Sequence, residues 1–174
     1  MKKLIMIAIA ALTLASNAQA MSPVPAPENG LVQLRIGGGF PFPGSLRRRL
    51  ITITNDGVVH VAEAWQSKDP QAPFTDGETR DYVLGQVSAP DLIELKKAAA
   101  SIQSRGLTKA KGPQCMDAPI ISYLLAKGGV LVNAYVISDC RHQQLKKKSE
   151  RPAALAIKAY LDQWNKLAQE KQSE

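Results

Sequence analysis

Two histidines, two cysteines and one aromatic, glycine-rich loop are the residues of this chain whose types suit them to chemistry. A nucleophilic site needs a base beside a serine or cysteine, and only His60 and His142 offer an imidazole. His60 falls in a run with strand periodicity and His142 in a lysine-rich stretch. No serine sits in a Gly-x-Ser-x-Gly setting. Asp81, Asp117 and Asp139 read as turn, cap or surface carboxylates rather than as an acid–base pair. The two cysteines and two histidines do not fall into a metal-ligand spacing. Gly37, Gly38 and Gly39 are followed by Phe40, not by a Lys-Ser/Thr pair or a helix start, so the run is not a phosphate loop. These patterns predict a protein with no catalytic residues, no metal and no cofactor.

The segment 37–44, Gly-Gly-Gly-Phe-Pro-Phe-Pro-Gly, is the most unusual feature. Pro41 and Pro43 stiffen it, which lowers the entropy lost on docking. Phe40 and Phe42 have two readings: a satellite of the core folded under the domain, or exposed anchors of the kind binding hot spots use. On the second reading Gly38, Gly39, Phe40, Pro41, Phe42 and Pro43 form a partner-binding loop. Two basic clusters follow. Arg47 and Arg48 lead into Arg49, and Arg141 and His142 precede Lys146, Lys147, Lys148 and Arg151. They are either a solvated face or a patch that steers the chain toward an anionic surface. Side chains alternate along a strand, so at least one of the three arginines points inward if the strand includes them. Arg49 is the one expected to pair with a carboxylate.

The elements that position these residues lie behind a leader. Lys2 and Lys3, the apolar run 4–15 and Ala18-Gln19-Ala20 have the three-part form of a secretory signal peptide over 1–20, with cleavage expected after Ala20. The apolar run is about a dozen residues, short of the roughly 20 that span a bilayer. Met21 rather than cysteine follows, so a lipoprotein is not expected. The exported chain is therefore expected in the periplasm or secreted, without spanning the membrane. Losing two lysines and no acid lowers the formal charge from +7 to +5. That modest excess suits anionic partners, and nucleic acid is a poor one for an exported chain. In an oxidising compartment Cys115 and Cys140 are expected to form a disulfide, worth roughly 3 kcal/mol in the chain-entropy picture.

Pro23, Pro25 and Pro27 make 21–29 an extended arm, and 30–174 reads as one domain. Alternating or β-branched runs predict strands over 31–36, 49–54, 58–65, 80–87, 120–126 and 130–137. Asn55-Asp56-Gly57 and Lys127-Gly128-Gly129 read as hairpin turns. Ser88-Ala89-Pro90-Asp91 has the form of a helix start, and Leu92, Leu95, Ala99 and Ile102 follow at helical spacing. A second amphipathic helix spans 152–169, with Ile157, Tyr160, Leu161, Trp164 and Leu167 on one stripe. The order β-β-β-β-α-β-β-α predicts an α+β domain: a mainly antiparallel sheet of about six strands with two helices on one face.

Val32 to Phe40, with Gly38-Gly39-Phe40 at its end and Arg47 to Arg49 on the next strand, resembles the opening of emfourin-type protein inhibitors of thermolysin-like metalloproteases. The later helix with Leu92 and Leu95, the hairpin with Tyr123 and the C-terminal amphipathic helix follow in the same order. The signal peptide, the cysteine pair, the Pro-Phe-Pro segment and the long loop 67–77 depart from that pattern. The resemblance implies a contact loop at Gly38, Gly39 and Phe40. Together these readings predict an exported, non-catalytic protein-binding domain, in its sharpest form an inhibitor of an extracytoplasmic hydrolase. The alternative is an envelope protein that binds anionic lipid or glycan through its basic clusters.

Overall fold

A computed structural model describes residues 27–37, 42–71, 75–108, 119–138 and 142–172. The α+β class expected from the sequence is what the chain adopts. The elements are β1 (Gly30–Gly37), β2 (Leu46–Thr54), β3 (Val58–Gln66), β4 (Asp76–Gln86), α1 (Ala89–Ser101), β5 (Ile120–Lys127), β6 (Val130–Ser138), β7 (His142–Leu145) and α2 (Arg151–Gln172). The strands form one antiparallel sheet in the order β4-β3-β2-β1-β5-β6-β7, with β1 at its centre. The helices pack on one face. The short strand β7 was not expected; its His-Gln-Gln-Leu composition carries no strand signature, and pairing with β6 recruits it.

Alternation sets the helix-covered face. Val32 and Leu34 of β1 lie opposite Ile53 and Ile51 of β2, which lie opposite Val59 and Val61 of β3. All six side chains are buried. On the other side of β1 the same face continues through Leu125 and Tyr123 of β5 to Val132 and Tyr135 of β6. Leu95, Ala99 and Ile102 from the α1 region, with Ala154, Ile157, Leu161 and Ala168 of α2, close the core. A buried aliphatic side chain contributes about 1.5–3 kcal/mol, so this continuous cluster is the main stabilising feature. Gly128 and Gly129 both have positive φ, 60° and 77°, as a two-residue turn of the primed kind requires.

Several boundaries differ from expectation. Ser88 caps α1 through Asp91 as its sequence implies, but the helix ends at Ser101, and Ile102, expected on its stripe, turns extended. Strand β4 begins at Asp76 instead of residue 80. Residues 27–29, read as part of the arm, belong to the domain. Asn29 takes a φ of 59°, and its carbonyl accepts from the backbone N–H of Asn55 at 2.8 Å. That ties the chain entry to the β2–β3 turn. Cys115, Cys140 and residues 1–20, the expected signal peptide, lie outside the described residues.

Candidate functional site

Strand β2 begins at Leu46, three residues before the expected start at 49, so all three arginines lie in it, with a register shift between Leu46 and Arg48. Arg49 points into the helix-covered face opposite Glu63 of β3. Its Nε donates to Glu63 Oε1 at 2.6 Å, and its Nη1 donates to Asn165 Oδ1 of α2 at 2.9 Å. Gln172, in the last turn of α2, adds a donor to the same Glu63 oxygen at 2.7 Å. Both charged side chains are fully buried. Glu63 Oε2 has no hydrogen-bond partner, the only such buried side-chain atom among the described residues. Arg49 is thus a structural ion pair, as alternation implied. Arg47 and Arg48 both bind the carboxylate of Asp76, at 2.8 and 2.6 Å.

Lys146 departs from the sequence reading. It was expected in an exposed basic patch with Lys147 and Lys148, yet it is completely buried. Its Nζ donates to the carbonyls of Ser104 at 2.5 Å and Gly106 at 3.1 Å. Those carbonyls belong to irregular backbone after α1, which finds no ladder partner and takes a cation instead. Burial lowers the pKa of Lys146, and the Glu150 carboxylate opposes that shift. Glu150 accepts from the backbone N–H groups of Gln103 and Ser104 at 2.8 and 2.9 Å and from the Ser104 hydroxyl. These hydrogen bonds, the hydroxyl's first, hold its pKa down to about 2. Lys147 and Lys148 are exposed, so only two of the three lysines remain at the surface.

Of the proposed contact loop, Gly38, Gly39, Phe40 and Pro41 lie outside the described residues. Phe42 and Pro43 are exposed, Phe42 by 82%. Phe42 is therefore not a satellite of the core. Its position is nevertheless fixed: its carbonyl accepts from both the N–H and the hydroxyl of Ser45, at 2.9 and 2.6 Å. Gly44 donates to the Gln66 carbonyl at 3.0 Å and Gln66 donates to Ser45 at 2.8 Å, which clamps the loop to the end of β3.

Beside this loop is an open groove of about 540 Å³, lined in part by Gly44, Trp65, Lys68, Glu78, Arg80 and Gln172. The Arg80 guanidinium lies 4.9 Å from the Trp65 ring centroid and donates to Glu78 at 2.9 Å. Gly44 has a φ of 77°, and a Cβ there would come within 2.9 Å of the Lys68 chain. Glycine thus permits both the turn and the close packing of Lys68 over it. Sequence reasoning missed Trp65, Lys68 and Arg80 because no motif links them; the sheet register and the end of α2 bring them together.

Nothing resembling a catalytic constellation emerges among the described residues. His60 is an exposed strand residue. Tyr123 donates to Asp162 at 2.6 Å, and Lys158 donates to the other oxygen of Asp162 at 2.5 Å. Burial, then the hydrogen bond to Asp162, raises the Tyr123 pKa far above the ordinary phenol value. A phenol held protonated in this way is a structural donor rather than a base. No group of three or more His, Cys, Asp or Glu side chains suited to a metal occurs among the described residues. No described helix is long and apolar enough to cross a membrane. No family model, curated protein or solved structure matches the chain.

Proposed function

We propose that this chain is an exported, non-catalytic protein-binding domain that engages its partner through the Phe42 loop. The observation that carries the reading is a phenylalanine 82% exposed on a turn whose backbone is clamped to β3. An exposed aromatic ring on a pre-organised backbone gains apolar burial on docking and loses little entropy. The sharpest form of the reading is steric inhibition of an extracytoplasmic hydrolase, the loop filling an apolar cleft. The resemblance of the opening strands to emfourin-type inhibitors points the same way.

The alternative, anionic lipid or glycan bound by the basic clusters, has less support. Lys146 is buried and Arg49 is paired, and Arg47 and Arg48 share Asp76. The surface charge left for a distributed anionic layer is smaller than the sequence suggests. The test is capture from envelope extract by the full-length gene product, exported and purified, at low and high salt beside Phe42→Ala. The expected result is a protein retained at high salt and reduced at least about ten-fold by the substitution, the scale of a hot-spot residue. Equal retention by Phe42→Ala, or only lipid and glycan retained at low salt, contradicts the proposal.

A further inference from the structure

The groove beside Phe42 has a chemistry of its own. Lys68 makes no ion pair or hydrogen bond among the described residues, and its stem is held against Gly44. Arg80 uses its Nε on Glu78. Both partners of that pair are more than half exposed, so it is a weak contact, and among the described residues the other guanidinium donors make no hydrogen bond. Asp69, the acid nearest Lys68 in sequence, turns its carboxylate to the backbone N–H of Gln71 at 2.8 Å. At the same end of the sheet Arg47 and Arg48 outnumber the single Asp76 that binds them. The local field is therefore positive. The one large aromatic surface in the groove, Trp65, already carries a cation in Arg80. A cationic guest would have to displace that guanidinium, whereas an anionic guest would join it.

We infer that this groove receives an acidic segment of the partner protein, a carboxylate bound by Lys68 and Arg80 with a neighbouring apolar side chain against Trp65. The inference rests on the reading of this end as a protein-binding surface, and it supplies the chemistry of what binds there. Arginine and lysine around an aromatic ring select a carboxylate flanked by an apolar residue, because each satisfies a different part of the groove. Phe42 then anchors the partner beside a charge-selective pocket.

The experiment is selection of a displayed random heptapeptide library on the full-length protein and on Lys68→Glu/Arg80→Glu. The wild type should enrich Asp or Glu next to aromatic or aliphatic residues. The strongest selected peptide, made synthetically, should bind the reversed variant at least about ten-fold more weakly, as loss of two charge contacts and gain of two repulsions requires. Selection on the reversed variant should turn toward Lys and Arg. Lys68→Gln/Arg80→Gln, milder at two exposed sites, should weaken the same peptide by about three-fold or more. Enrichment without acidic residues, or equal binding to wild type and the reversed variant, overturns the inference. So does binding of phosphatidylglycerol vesicles that needs both residues while no acidic peptide is selected. A failure of the Phe42 reading would look different: partner capture indifferent to Phe42→Ala.

Discussion

At the N-terminal end of α2 the charged groups Lys146 and Glu150 are bound by backbone and side-chain partners from the segment after α1. At the C-terminal end the buried pair Arg49–Glu63 leaves one carboxylate oxygen without a partner, and the surface beyond it opens into a groove where Lys68 makes no ion pair among the described residues and Arg80 makes only an exposed one. Both ends bury a positive side chain drawn from a run of three basic residues. The difference teaches that charge count does not define a binding surface; what remains after internal pairing does. The closed end commits Lys146 and Glu150 to the fold, whereas at the open end Lys68 makes no ion pair or hydrogen bond among the described residues.

The comparison breaks first at the buried pair. Glu63→Ala leaves Arg49 as an uncompensated buried charge, so it should cost about 3–5 kcal/mol, read as a loss in denaturant midpoint. A cost below about 1 kcal/mol would mean the pair is solvated and the open end is looser than described. At the closed end, Lys146→Met removes two charge-assisted hydrogen bonds and should cost about 2–3 kcal/mol. Measured beside Lys148→Met, which should fall within about 0.5 kcal/mol of wild type, it separates the structural lysine from a surface one.

Acid sharpens the contrast. The folded pKa of Glu150 is depressed to about 2 from an ordinary value of 4.5. Its contribution is therefore complete above pH 4.5 and is lost as pH falls toward 2. Thermal melts across that window should decline with pH, and Glu150→Gln should flatten the decline. An unchanged slope in the variant would remove Glu150 from the account. The smallest effect is expected at Asp76. Its pairs with Arg47 and Arg48 are partly exposed, so Asp76→Ala should cost about 1 kcal/mol or less.

Much of the fold was legible because alternation and turn chemistry are local. Val32 and Leu34, Ile51 and Ile53, and Val59 and Val61 occupy every second position, and Gly128-Gly129 marks its own turn. The inward turn of Arg49 followed from the same period. Lys146 could not be read this way. It follows a four-residue strand that exists only by pairing with β6, and its acceptors lie 40 and 42 residues away. The groove was equally illegible. Trp65 and Gln172 meet only because α2 ends over β3, a length match that no local pattern encodes. Exposure of Phe42 was undecidable from composition, since the same Phe-Pro alternation serves a buried satellite or an exposed anchor.

The central claim is that Phe42 serves binding rather than folding. Its most direct test is Phe42→Ala, with partner affinity and melting temperature read on the same preparation. The account predicts affinity reduced at least about ten-fold and stability within about 0.5 kcal/mol of wild type, as an exposed side chain allows. Unchanged affinity, or a fall of several kcal/mol in stability, would contradict it.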